Sequence, residues 1–226
     1  MTVGLSAETW AIARFTLLMA SIATALVLPP AIAVGWVLAR RNFPGKTLLE
    51  TIVSLPLVLP PVASGLLLLW LFGRRSPVGR ALDSVGIEII FTWKAVVIAM
   101  MVISFPLVAR SVRAGIEQVD RRYEDLAATL GAGSFRILRT ITLPLASRGI
   151  AAGAVLGFSR ALGEFGATIM VAGAIPGRTR TLAVGIYTLV ETGREEAAWS
   201  LLLVSAVLAF GAIYLSNRLV DQKGRA

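Results

Sequence analysis

Hydrophobic residues along this chain gather into long runs instead of alternating with polar ones. Five runs span a bilayer or nearly so: Phe15 to Ala39, about Leu48 to Phe72, about Phe91 to Val112, Gly149 to about Gly173, and about Trp199 to Leu215. About 20 helical residues, each rising ~1.5 Å, cross a hydrocarbon core of ~30 Å. The pattern therefore predicts an all-α integral membrane protein, a polytopic helical bundle of about five spans. In the third run only Ala95 to Ala109 is free of charge, so Lys94 and Arg110 are expected to snorkel to the interfaces. The first run is too long, and lacks the basic flank, for a cleaved signal peptide; it is expected to be a retained span. Thr181 to Val190 is apolar over only ten residues, too short to cross, and reads as a re-entrant or interfacial helix.

Prolines interrupt the runs at Pro29-Pro30, Pro56, Pro60-Pro61 and Pro106. A proline removes a helical hydrogen bond, and in a bilayer the freed carbonyls need neighbouring helices or a polar cavity. The second run, with its three prolines beside Ser54, Ser64 and Gly65, fits either kinked packing or the wall of a conduit. Broken helices recur at transport sites, which favours the conduit.

The longest polar interruption runs from Arg110 to Arg148. Asp120 suits a helix N-cap, and Gly131 or Gly133 a stop. Between them Tyr123, Leu126, Ala127 and Leu130 fall at i, i+3, i+4 and i+7, one apolar stripe on a short helix. Such a helix cannot bury its stripe alone. Its periodicity fits a membrane surface and a protein groove equally well.

Composition narrows the chemistry. The chain is 56% hydrophobic and 15% charged, against ~25% charged in soluble proteins, so the 226 residues leave no room for a separate soluble domain beside one membrane domain, 1–226. With no Cys and no His, disulfides, His-ligated metals and Ser-His or Cys-His dyads are excluded. The net charge of +9 is the Lys/Arg excess of cytoplasmic membrane loops, not a sign of nucleic acid. That bias places the loops after the first and third runs, and the tail with Arg218, Lys223 and Arg225, in the cytoplasm. The expected orientation is N-terminus out and C-terminus in, opposed in part by the basic 73–94 loop. Arg160 and Glu164 lie inside the fourth run at i, i+4. They read either as a self-neutralised pair holding the helix or as an intramembrane functional site.

Spacing in the polar segment is distinctive. Asp125-Leu126-Ala127, then Gly131, then Ile141-Thr142-Leu143-Pro144 resembles the cytoplasmic signature of ABC-importer permeases, with Asp125 for the usual Glu, Leu126 for an Ala, and Glu124 as an alternative acid. The resemblance implies a type I importer permease fold and a coupling segment over about 113–146. Tyr123, Glu124, Asp125, Leu126, Ala127, Leu130, Gly131, Ile141, Leu143 and Pro144 would engage a cytoplasmic ATPase. It further implies two permease chains with two ATPase chains. The chain has no G-x-x-x-x-G-K-[ST] loop, so it would bind no cofactor itself and the ATPase would be another polypeptide.

Across nearly the whole chain the sequence is similar to permeases of molybdate ABC importers, in an oxyanion group with sulfate and tungstate permeases. The matching pieces are residues 39–46, Ser54 to Pro61, Arg160 to Thr168, and Ile175-Pro176-Gly177-Arg178-Thr179-Arg180-Thr181. This implies an extracytoplasmic oxyanion-binding protein as partner, and a place in the lipid of a prokaryotic cytoplasmic (inner) membrane. A tetrahedral dianion suits a conduit of hydroxyls and small residues that does not trap it. Ser54, Pro60, Ser64, Gly65, Ser159, Arg160, Glu164 and Thr168 are the candidate path residues. Outer Arg178 and Arg180 are candidates for steering the anion or docking the binding protein. The rival class, a secondary transporter, would be expected to show internal repeats and a coupling-ion carboxylate. Only Glu164 suits the latter role.

Overall fold

A computed structural model describes residues 7–221, without the side chains of 215–217 and 219–221; Lys223 and Arg225 of the tail lie outside the described residues. The described residues are helical, with no strand. Helix α1 (Ala7–Arg40) runs through Pro29-Pro30 without a break. It is followed by α2 (Lys46–Val58), α3 (Pro61–Phe72) and the short α4 (Pro77–Ser84). Then come α5 (Trp93–Glu117), α6 (Arg121–Thr129) and α7 (Ser134–Ile137). A π-helical turn (Leu138–Thr142) leads into α8 (Leu143–Leu162), α9 (Gly166–Ala172), α10 (Leu182–Glu191) and α11 (Glu195–Asp221).

Helix α5 is the centre of the bundle, packed between α1 and α8, with α11 on the outer side of α8 and α3 against α9. Its buried residues, among them Val96, Met100, Ile103, Val108 and Val112, are apolar around most of its circumference, as a central membrane helix requires. The α5–α8 seam is close because α8 places Gly149, Gly153 and Gly157 one turn apart. A Cβ on Gly149 would lie 2.6 Å from Gly115 Cα, and one on Gly157 2.3 Å from Val108 Cγ2. Van der Waals packing of small residues drives such association where no hydrophobic force acts between helices.

Several sequence expectations shift. Among the described residues four helices are long and apolar enough to span, and a fifth span requires joining α2 and α3, which bend by 111°. The second run is thus a broken element: Pro60 and Pro61 cannot donate to the i−4 carbonyls, so the helix ends at Val58 and restarts at Pro61. The fourth run is also interrupted, at Gly163-Glu164-Phe165 between α8 and α9. The stretch Arg110 to Arg148 is mostly not a loop. Helix α5 continues to Glu117 and helical structure resumes at Ser134, leaving 118–133 to carry α6. Arg110 turns sideways, its Nη2 donating to Ser54 Oγ on α2 at 2.8 Å. The run 181–190 becomes α10, capped by Thr181 and packed against α1 and α11.

Candidate functional site

The short helix α6 forms as its sequence dictates. The Asp120 side chain accepts from Arg122 N–H at 2.9 Å, an N-cap bond. At the other end Ala132 N–H donates to Ala127 O and Gly131 N–H to Ala128 O, each at 3.0 Å. This double closure needs a left-handed residue, and Gly131 has φ 85°. The apolar stripe faces outward: Tyr123, Leu126 and Leu130 are 57%, 63% and 88% exposed, and Phe135 on α7 is 75% exposed. Ala127 is half-buried.

Arg121 Nη2 donates to Ala39 O on α1 at 3.3 Å, and the main anchor of α6 to the bundle is Glu124. Its carboxylate lies 2.9 Å from Arg40 Nε, with both side chains largely buried, and accepts from Thr142 Oγ1 at 2.6 Å. Arg40 Nη2 also donates to Val119 O at 2.8 Å. The helix is tied at once to the end of α1 and to the π-helical turn. Asp125, the acid that the spacing singles out, is exposed and bonded to nothing among the described residues. Ile141 and Leu143 are half-buried and Pro144 is exposed at the start of α8. The wider π-turn before Pro144 moves the i−4 carbonyl away from a ring that would otherwise clash with it.

The candidate path residues separate into three places. Ser54 lies on α2 with Arg110, and Pro60 is exposed in the α2–α3 break. Ser64 and Gly65 on α3 face α9, where a Cβ on Gly65 would lie 2.8 Å from Ala167 Cα. The hydroxyls of Ser64 and Thr168 are buried with no partner among the described residues. Each unpaired hydroxyl costs ~1–3 kcal/mol, yet neither lines open space in this conformation. At the end of α8, Ser159 Oγ donates to Val155 O and Arg160 Nη2 pairs with Glu164 Oε2 at 3.0 Å. Glu164 is 1% exposed and also accepts from Ala167 N–H at 2.8 Å, capping α9. The pair therefore clips the α8–α9 break.

On the opposite end of the bundle, Arg178 is exposed, whereas Arg180 pairs with Glu8 at 3.2 Å. The neighbouring threonines organise the turn. Thr179 Oγ1 donates to Gly173 O and accepts from Ile175 N–H, and Leu182 N–H donates to Thr16 Oγ1 on α1 at 2.9 Å. A second ion network escaped the sequence reading: Arg113 lies 2.7 Å from both Glu50 and Glu117. Its one sequence signal was the i, i+4 spacing of Arg113 and Glu117; Glu50 is brought to it only by tertiary packing.

These features define a polytopic helical membrane subunit with an exposed, firmly anchored amphipathic helix between two of its central spans. The family model for binding-protein-dependent transport system inner membrane components matches residues 31–225, and the chain belongs to that family. It is a multi-pass permease subunit of an ABC importer, whose ATPase is a separate subunit. The molybdenum transport system permease protein ModB of Escherichia coli (strain K12) is 46% identical over 210 residues, covering 92% of each chain. The sulfate transport system permease protein CysW of Synechococcus elongatus is 34% identical over 94% of this chain and 74% of that protein. A crystal structure of a bacterial alginate ABC transporter, in complex with alginate pentasaccharide-bound periplasmic protein, matches with a TM-score of 0.73. It covers 98% of this chain and 81% of that one at 17% identity, a likeness of fold.

Proposed function

We propose that this chain imports molybdate across the cytoplasmic membrane of a prokaryote, as two permease copies on two copies of a cytoplasmic ATPase. An extracytoplasmic oxyanion-binding protein delivers the anion. The observation that carries the cargo is the 46% identity to a molybdenum permease over 92% of the chain, against 34% to a sulfate permease. The orientation that goes with this reading has α6 in the cytoplasm, the N-terminus outside and the C-terminus inside, in keeping with the Lys/Arg bias.

Coupling follows from the anchoring of α6. Tyr123, Leu126 and Leu130, joined by Phe135, enter a groove on the ATPase, while Glu124, Arg40 and Thr142 keep the helix from rotating on its mount. Closure of the ATPase dimer then moves α1 and α8 as rigid bodies, and the permease pair switches between outward- and inward-facing states. In that cycle Pro60, Ser64, Gly65, Ser159 and Thr168 form the lining, and the Ser64 and Thr168 hydroxyls find partners when α3 and α9 separate. Arg160 and Glu164 hold the α8–α9 break.

The test is molybdenum uptake at limiting molybdate in a strain lacking this chain. Uptake should be lost and restored by the gene in trans, with tungstate competing. Unchanged molybdenum uptake with sulfate uptake lost would move the cargo to sulfate.

A further inference from the structure

In the cleft between α2 and α5, two arginines one turn apart are treated differently. Arg113 is neutralised by Glu50 and Glu117. Arg110 is exposed, has no carboxylate partner among the described residues, and uses one N–H to reach Ser54 Oγ at 2.8 Å. The hydroxyl of Ser54 is unusual in turn. Thr51, Ser104 and Ser159 return theirs to the carbonyl four residues back. Ser54 accepts from Arg110 and donates to nothing among the described residues. A guanidinium has five N–H donors and a hydroxyl one more. The pair therefore presents unused donors and a net positive charge to a cavity of about 710 Å³. Thr47, Thr51 and Val58 also line it, as do Glu50 and Arg113, which pair with each other.

We infer that Arg110 and Ser54 form an oxyanion-binding station on the cytoplasmic side of the permease, a site for a tetrahedral dianion leaving the conduit. The inference rests on the reading of the chain as an oxyanion importer. Position supports it: Arg110 lies seven residues, ~10 Å along a helix, before the end of α5 at Glu117. The chemistry matches an acceptor-only ligand, since a charged fork and a hydroxyl converge, and the carboxylate that lines the same cavity, Glu50, is held by Arg113 at 2.7 Å. Exposure keeps the site weak, so that an arriving anion is released and not trapped. A lipid phosphate offers the same chemistry, and the experiment separates the two.

The full permease–ATPase assembly, without nucleotide, is placed in nanodiscs of phosphatidylcholine alone, and binding of radiolabelled molybdate is measured. Wild type should bind saturably. Arg110→Gln should weaken binding about tenfold or more, the loss of a charged hydrogen-bond donor. Ser54→Ala should weaken it severalfold, and Arg110→Lys less than Arg110→Gln. Arg148→Gln, which removes an exposed cation from α8, should leave binding unchanged. Equal binding by wild type and Arg110→Gln, or equal losses in Arg110→Gln and Arg148→Gln, overturns the proposal. So does absent molybdate binding with Arg110-dependent retention of phosphatidylglycerol in mixed-lipid nanodiscs, which makes the ligand a headgroup. If Arg110→Gln fails to co-elute with the ATPase, Ser54→Ala and Arg110→Lys decide, and wild-type binding by both overturns it. Failure of wild type to transport molybdate would refute the function instead, while the binding measurement still judges the site.

Discussion

Replacing Glu124 by Ala removes the one side chain that joins α6 to both α1 and the π-helical turn. Three contacts go with it: the two approaches to Arg40 Nε, at 2.9 and 3.1 Å, and the bond from Thr142 at 2.6 Å. Breaking one partner of a buried ion pair costs ~3–5 kcal/mol. Here the Arg40 and Glu124 side chains keep 8% and 15% exposure at the end of the bundle, where water reaches the orphaned guanidinium, so about 2 kcal/mol is the appropriate scale. That corresponds to a ~30-fold shift between anchored and loosened α6. The assay is ATP-driven molybdate uptake in proteoliposomes containing the reconstituted importer, with ATP hydrolysis measured alongside. Uptake should fall about tenfold while the chain stays inserted and ATP hydrolysis continues, so that more ATP is consumed per anion. Glu124→Gln, which keeps an acceptor for Thr142, should lose less, and Asp125→Ala should stay within about twofold of wild type. If Asp125→Ala is the more damaging substitution, the anchoring role assigned to Glu124 is wrong.

Other substitutions probe separate parts of the fold. Leu126→Asp with Leu130→Asp should abolish ATPase association without loss of membrane insertion, read by co-purification. Gly131→Val should weaken that association too, because a β-branched residue at φ 85° costs ~1–2 kcal/mol or more. Gly149→Ala forces a Cβ against Gly115 and should lower the thermal unfolding midpoint in detergent, a loss of ~1–3 kcal/mol; an unchanged midpoint would mean that the α5–α8 seam yields. Arg160→Ala should destabilise more than Glu164→Gln in the same assay, because it strands a carboxylate that is 1% exposed, whereas a freed Arg160 side chain, 32% exposed, still reaches water. The opposite ranking would refute the assignment of Glu164 as the buried member.

Local rules made α6 legible. Asp120 as cap, Gly131 as stop and the Tyr123–Leu126–Leu130 stripe depend on neighbours within a few residues, and the structure realises all three. The choice between Glu124 and Asp125 does not, because it turns on Arg40, a residue 84 positions away. The extent of α5 was hidden for a related reason. Arg110 and Arg113 look like the start of a loop until Ser54 and Glu50 on α2 are seen to receive them. Hydropathy located the second and fourth runs but not their breaks, since Leu, Val and Ala read alike in a straight span and a bent pair. Pro60-Pro61 signalled the first break; Gly163 gave little signal of the second, which Glu164 stabilises from both sides. Among the candidate path residues, composition alone could not distinguish Ser54, hydrogen-bonded to Arg110, from Ser64, enclosed between α3 and α9.

The most direct test of the central claim, that α6 is the contact through which an ATPase drives this permease, uses the absence of native cysteine. A Leu130→Cys chain is expressed with its ATPase, and single cysteines are scanned around the ATPase groove. A short crosslinker that forms disulfides with both thiols should join Leu130→Cys to one side of that groove in good yield, and crosslinking should arrest molybdate uptake until a reductant restores it. No crosslink at any groove position, in a complex that still imports molybdate, would contradict the claim.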